Sequence, residues 1–436
     1  MKSFSMCIVG SGPSGFYVAD YFHKAFHKFL AGVPGEGIRL HIDMIERLST
    51  PHGLIRYGVA PDHVDIKKVT AKFDSIAKDL VHWIGNVDVG KDVGVEELCD
   101  IYDVVVIATG ADVPRDLNMP DIDYSRVLYA KDIVDWYNSN PLCGHREQIE
   151  AKLSTARHIV LVGHGNVALD IARILCSDVE KLRATDIDRR ALAVIQKMSL
   201  EKISVVARRG VMDSRFTTKE LREVFQMDNL SVTMKPFEFE AEKVPTAKRR
   251  ILTLLKEASE GAYEKKQARH CLRLLYGKKP VSIQAGNITF REMCIDGSPS
   301  HGKSPLGGEV QWVESSEQSP INCDLVVIST GFLPHHIQGI PYATDGSVQS
   351  TSGRIHNTRN AYVSGWARAG SQGEIAWAIR DAMQVAASII RESSQVIRER
   401  LSGGETTECV PSDIHPRLRK LMLDRSICYS TCDPRK

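Results

Sequence analysis

What this chain of 436 residues lacks narrows its class before any motif is read. No stretch approaches the roughly 20 consecutive apolar residues that a membrane-spanning helix needs, so a water-soluble chain is expected. Ten cysteines are present, yet no two form a CxxC pair; the nearest spacing puts three residues between Cys428 and Cys432. A local redox dithiol of the usual spacing is thereby excluded, and mostly buried thiols in a reducing compartment are expected. A dominant charge is missing too. Lys and Arg number 56 against 54 Asp and Glu, a formal net charge of +2, so recognition of a polyanion by the whole molecule is excluded and electrostatic recognition is confined to local patches. Few residues precede the first apolar run, and a targeting segment is expected to be either absent or already removed. Length and a 43% hydrophobic content suit two or three domains.

The chain is organised around Cys7-Ile8-Val9-Gly10-Ser11-Gly12-Pro13-Ser14-Gly15, an apolar run that breaks into glycines and then into a helical pattern over 16–29. A dinucleotide pyrophosphate needs this arrangement. Gly10 permits the tight turn, Gly12 lets the backbone approach the phosphates, and Gly15 lets helix and strand pack closely, with the helix N-terminus facing the negative charge. A second strand over 39–45 ends in Glu46, placed to accept hydrogen bonds from an adenosine ribose. Its distance from Gly15 exceeds the usual interval of about 20 residues, and the Gly/Pro loop over 32–37 accounts for the excess. Residues 51–63 read as an ordered loop, 64–84 as a helix, and 87–89 as a short β segment.

The chain then repeats itself. Residues 102–110 form a buried-strand pattern ending in Thr109-Gly110, and residues 323–331 have the same shape, ending in Thr330-Gly331. His158-Ile159-Val160-Leu161-Val162-Gly163-His164-Gly165-Asn166-Val167-Ala168-Leu169-Asp170 is a second strand, glycine turn and helix start. Two such fingerprints imply two nucleotide-binding domains. Their second strands differ at the end: the first finishes in Glu46, while the strand over 202–207 runs into Arg208-Arg209. A carboxylate suits a free ribose hydroxyl, and arginines suit a ribose 2′-phosphate, so the second site is assigned to NADP. Glu220 stands three residues after Thr217, where it closes a capping box on the helix over 218–225 or contacts a ligand.

The last third returns to the first domain through a short strand over 361–366, a polar turn over 369–373 and an amphipathic helix over 375–390. That helix N-terminus is either an ordinary start or a stabiliser of negative charge on a reduced flavin. Residues 202–291 hold 19 Lys and Arg against 10 Asp and Glu, about +9 in a chain of net +2. This basic excess, with Lys248, Arg249 and Arg250 in it, is a docking face for an acidic partner or a solvated helical surface. Interleaved aromatics and known nucleic-acid modules are lacking, so no nucleic-acid partner is expected.

Gly10-Ser-Gly-Pro-Ser-Gly15, Gly53-Leu-Ile-Arg-Tyr-Gly-Val-Ala-Pro-Asp-His63, Gly163-His-Gly-Asn-Val-Ala-Leu-Asp170, Arg208-Arg-Gly210 and Ser364-Gly-Trp366 together resemble the adrenodoxin reductase family of NADPH–ferredoxin reductases. The resemblance runs in order over nearly the whole chain. It implies an α/β protein with two Rossmann-like dinucleotide-binding domains arranged as in glutathione reductase. An FAD domain over 1–112 and 330–436 would receive an inserted NADP domain over 113–329. Implied FAD contacts are Gly10, Gly12, Ser14, Gly15, Glu46, Leu54, Val89, Gly110, Trp366, Gly373, Glu374 and Ile375. Implied NADP contacts are Gly163, His164, Gly165, Asn166, Val167, Arg208, Arg209, Glu220 and Gly373. His63 and Asp170 match residues near flavin and nicotinamide, and Arg249 and Arg250 fall where a small acidic [2Fe–2S] ferredoxin docks. No metal site is expected in the chain itself. A monomer in the mitochondrial matrix, or alternatively the cytoplasm, completes the expectation.

Two departures from the family pattern stand out. The family commonly carries an aromatic residue where this chain has His52, and a Pro-Thr-Gly-Val-Ile turn where it has Ser371-Gln372-Gly373-Glu374-Ile375. A Glu374 carboxylate aimed at a reduced flavin would oppose its negative charge, so that side chain is expected to turn away. The alternative enzyme is an electron-input subunit like the small subunit of glutamate synthase, disfavoured by Trp366 and by the lack of cluster cysteines near the N-terminus. A non-catalytic nucleotide-binding protein is the alternative outside enzymes; NADPH-dependent bleaching of a flavin band separates it from the rest.

Overall fold

A computed structural model describes residues 2–33, 37–284, 286–295, 312–371, 375–402 and 413–431. The chain divides into two compact units, residues 1–59, 64–113 and 332–436 in the first, 60–63 and 114–331 in the second. Each is built on its own sheet, parallel throughout in the second unit and parallel at its centre with antiparallel edges in the first.

In the first unit the strands Val104–Ile107, Ser3–Val9, Arg39–Ile45 and His82–Gly85 lie side by side and parallel. Ala361–Val363, from the last third of the chain, adds in parallel to Val104–Ile107. Every residue of Ser3–Val9 is buried, as a parallel strand covered on both faces requires. Phe4, Met6 and Ile8 face a cluster with Phe16, Phe22 and Val385, from helices Pro13–Ala31 and Ile375–Ser402. Cys7 and Val9 face the other side, against Ile45, Ile107 and Leu418.

The second unit holds a six-stranded sheet in the order Val127–Tyr129, Leu325–Ile328, His158–Val162, Lys202–Val206, His270–Leu275, Leu230–Met234, with every neighbouring pair parallel. A three-stranded antiparallel sheet, Lys278–Gln284, Asn287–Ile295 and Trp312–Asn322, completes it.

Several local expectations are corrected. Residues 64–84 form two helices, Val64–Lys67 and Thr70–Asp79, and then the strand His82–Gly85. Trp83 and Ile84 are buried there in parallel register with Met44 and Ile45, so sheet pairing overrides helical spacing. The loop 51–63 contains one helical turn, Leu54–Tyr57. The final long helix continues to Ser402, because Ser393, Ile397 and Leu401 extend its buried stripe. The strand expected over 361–366 stops at Val363, and Trp366–Ala369 is helical.

Candidate functional site

The two sheets present the same backbone device. In the first unit Gly10 N–H bonds Ile45 O at 2.7 Å and Ala108 N–H bonds Val9 O at 2.7 Å. In the second, Gly163 N–H bonds Val206 O at 2.9 Å and Ser329 N–H bonds Val162 O at 2.8 Å. A Cβ at Gly10 would lie 2.5 Å from Ala108 O, and one at Gly163 would lie 2.0 Å from Ser329 O. Both glycines also have positive φ, 107° and 137°. The repeated strand ending in Thr-Gly therefore packs against the first glycine of each fingerprint, which is why the two motifs recur together.

The next glycine of each turn is open instead. Neither Gly12 nor Gly165 has any heavy atom within 4 Å of where a Cβ would stand, and each begins a helix without a side-chain cap. Phe16 N–H to Gly12 O, at 3.2 Å, is an early intrahelical bond of the first helix, so the amides of Ser14 and Gly15 point out of its end. Pro13 supplies no amide. These two helix ends fit the pyrophosphate groups of two dinucleotides. Gly15 packs in turn on Gly10, whose carbonyl oxygen would lie 2.1 Å from an added Cβ.

Around the first turn the chain ends meet. The Ser14 hydroxyl lies against Gly365, where a Cβ would come within 2.1 Å of it, and the positive φ of Gly365, 77°, sets up the helical turn that starts at Trp366. Asp381, on the buried face of helix Ile375–Ser402, accepts from Ser364 Oγ at 2.8 Å, Gly365 N at 2.7 Å and Arg368 Nη1 at 2.5 Å. Asp381 went unnoticed at the motif level. Its signal was a carboxylate among Ala378, Ala382 and Val385 on an apolar helical stripe.

Glu46 is buried at the end of Arg39–Ile45, where its Oε2 accepts from Ser11 N at 2.9 Å and Ser11 Oγ at 2.8 Å. Its Oε1 accepts from Leu48 N at 3.1 Å. Of a carboxylate's roughly four acceptor positions, this leaves one for a ribose hydroxyl. Leu54 begins the helical turn after Gly53, which packs on Gly12. Val89 lies in the buried cluster that holds Val9, Ile45 and Ala367. Gly110 has φ 72° and open space around it. His52 is buried with its ring 5.9 Å from Phe16 and 6.1 Å from Phe73, filling the place of an aromatic side chain. Ile375 is the first residue of its helix; Gly373 and Glu374 lie outside the described residues.

In the second unit polar atoms converge without partners. Among the described residues of that unit, four side chains hold a shielded polar atom with no hydrogen bond, and three of them are His164, Thr217 and Glu220. His164 lies against Phe216 at 3.9 Å and Tyr276 at 4.5 Å between ring centroids. Burial, with a smaller contribution from Lys248, pushes its imidazole down to about 3, so it is neutral at working pH. The capping box between Thr217 and Glu220 does not form: Asn166 Oδ1 accepts Thr217 N–H at 2.9 Å, and the Glu220 Oε2 atom stays unpartnered. Burial raises the Glu220 carboxyl above its ordinary range. Val167 packs at the edge of the core. Arg208 and Arg209 are exposed just beyond Lys202–Val206, and no carboxylate among the described residues pairs with them. Orphaned atoms, an open glycine and two unpaired cations fit NADP.

His63 and Asp170 gather around a residue the motifs did not mark. Arg173, 4% exposed, donates to both Asp62 oxygens at 2.7 and 2.8 Å and to Asp170 at 2.8 Å. It lies 3.5 Å from Glu223, whose Oε2 is 2.7 Å from His63 Nε2. Arg249 and Arg250 are exposed on helix Thr246–Ser259.

Two glycine cradles, each on the parallel strands of its own sheet, define a two-dinucleotide flavoprotein oxidoreductase. The pattern of the pyridine nucleotide-disulphide oxidoreductase family matches residues 4–365. NADPH-ferredoxin reductase FprA of Mycobacterium tuberculosis is 34% identical over 405 residues, 90% of this chain and 84% of that protein. The mitochondrial NADPH:adrenodoxin oxidoreductase of Arabidopsis thaliana is 34% identical over 412 residues, 88% and 81% of the two chains. The solved structure of M. tuberculosis FprA in complex with NADPH superposes with a TM-score of 0.83 at 30% identity, covering 99% of this chain and 92% of that one. The chain belongs to the adrenodoxin and NADPH–ferredoxin reductase family.

Proposed function

We propose that this protein is an FAD-dependent NADPH:ferredoxin oxidoreductase, with FAD in the first cradle and NADPH in the second. The observation that carries the assignment of the two sites is the contrast between their strand ends: a buried carboxylate, Glu46, at one and two unpaired arginines at the other. When bound, FAD supplies the conversion of a two-electron hydride into two one-electron transfers. Hydride transfer needs no protein acid or base, so the chain contributes placement and charge. Ser14 and Gly15 amides would hold the flavin nucleotide's phosphates and Glu46 its ribose, and the Asp381-braced turn positions Trp366. His164, Asn166, Val167 and Glu220 would line the NADP site beside the second glycine turn. Glu223 orients His63, and Arg173 orients Asp170.

The electron acceptor we propose is a small acidic [2Fe–2S] ferredoxin docking on Arg249 and Arg250, supported by their exposure and by the names of the relatives. Among the described residues no helix is long and apolar enough to cross a membrane. The mitochondrial matrix is proposed on the mitochondrial names of the plant and rat relatives, with the cytoplasm as the alternative, and cell fractionation tests it; a monomer is proposed as well, and gel filtration tests that. The deciding experiment is NADPH-driven cytochrome c reduction with and without candidate ferredoxins. A yellow protein whose flavin band bleaches with NADPH, and whose cytochrome c reduction rises when ferredoxin is added, is expected. A colourless product that takes up no FAD overturns the proposal.

A further inference from the structure

Arg208 and Arg209 stand on an exposed turn, and bidentate recognition of a phosphate demands that such a turn keep its shape. The backbone of Gly210 is extended, with φ −79° and ψ 177°, a conformation open to any residue. Yet a Cβ there would come 2.7 Å from the six-membered ring of Trp312. Glycine is required at this position by the indole and not by its dihedral angles. The same indole donates from Nε1 to Asp213 Oδ2 at 3.1 Å. Trp312 therefore touches both ends of the turn Gly210 to Asp213, while Gly277 N–H holds Arg209 O at 3.0 Å from the next strand connection.

We propose that Trp312 is a positioning residue for recognition of the ribose 2′-phosphate. Its ring fixes the path of the chain directly after the two arginines. Its N–H engages the Asp213 carboxylate, four residues from Arg209, and so holds the far end of the same turn. The inference rests on the reading of Arg208 and Arg209 as 2′-phosphate ligands, and the test separates the two.

The probes are 2′,5′-ADP and 5′-AMP, titrated into the flavin-loaded full chain; they differ only in the 2′-phosphate. In Trp312→Ala the preference for 2′,5′-ADP is expected to fall roughly five- to tenfold, because a displaced turn misaligns both guanidinium groups. Affinity for 5′-AMP stays level, and Trp312→Phe, which lacks both the N–H that engages Asp213 and the outer ring that meets Gly210, is expected to lose part of the preference. Gly210→Ala provides a second route: it costs preference in the parent and little in the Trp312→Ala background, since the clash is then gone. Equal loss for both probes in Trp312→Ala, or additive effects in that cycle, overturns the inference. Should Arg208→Ala with Arg209→Ala lose the preference while Trp312→Ala keeps it, the arginine assignment stands and the tryptophan role falls. If the double arginine variant keeps the preference, both fall.

Discussion

At the scale of single residues, the second unit turns on Arg173. Burial would raise Asp62, but the hydrogen bonds and charge of Arg173 prevail and hold its carboxyl below the ordinary range. Burial outweighs the same arginine at Asp170 and leaves that carboxyl raised. Because Asp62 is depressed in the fold, its stabilisation is fully present above the ordinary carboxylate range and is lost as pH falls through the lowered value. Asp62→Asn should therefore flatten the acid limb of the stability profile measured by thermal melting from about pH 5 down to about pH 2, the range in which a depressed carboxylate takes up its proton. Removing the cation is harsher. Arg173→Ala leaves Asp62 and Asp170 without their shared partner and is expected to cost about 3–5 kcal/mol, seen as a strongly lowered melting temperature. Unchanged melting would show that the cluster contributes nothing to the fold. For nucleotide choice, Arg208→Ala with Arg209→Ala should raise the KM for NADPH far more than for NADH, and equal losses would defeat the 2′-phosphate assignment. The arginine pair was legible in the sequence because it ends a strand after a fingerprint. Arg173 was not, since its partners come from residues 62, 170 and 223, and nothing in a linear spacing announces a buried guanidinium.

At the scale of elements, the parallel sheets were legible because buried strands are continuous apolar runs, and the turns because their glycines have steric reasons that a spacing records. The segment over 64–84 was misread for a reason of the same kind. Its helical spacing is real as far as Asp79, but Trp83 and Ile84 join a sheet whose other strands lie far off in sequence. The Thr217–Glu220 box failed because a side chain from another element, Asn166, takes the amide first. The Asp381 brace belongs here as well, since it lets a helix from the last third of the chain shape a turn beside the first glycine motif. Asp381→Ala strips Ser364 and Gly365 of their acceptor, so FAD should dissociate more readily, read as a lower ratio of flavin to protein absorbance after gel filtration. Asp381→Asn keeps one acceptor oxygen and should retain more flavin than the alanine variant. If both variants stay fully yellow, the turn does not contribute to flavin retention.

At the scale of the whole molecule, charge counted along the sequence overstates the charge available to a partner. Lys248 turns inward to the Ser214 carbonyl, Lys265 caps the carbonyls of Phe225 and Met227, and Lys256 is paired with Glu238. Arg269 reaches the carbonyl of Met198. Much of the basic excess over 202–291 is thus engaged in holding the second unit together, a distinction invisible to composition. Arg249 and Arg250 are different: both are exposed on helix Thr246–Ser259, and the Arg249 guanidinium donates to Val244 O at 3.2 Å with no carboxylate paired to it among the described residues. Exposed cations of this kind act on encounter with an acidic protein more than on chemistry, and their effect is screened by salt over about 8 Å at physiological ionic strength. Reversing both to Glu should therefore raise the KM for ferredoxin steeply and weaken the salt dependence of the ferredoxin-linked rate. Ferricyanide reduction, which needs NADPH and flavin but no docked protein, should stay level in the same variant. A ferredoxin rate that did not change would remove these arginines from the docking face, whereas parallel loss of the ferricyanide rate would mean the reversal had damaged hydride delivery instead.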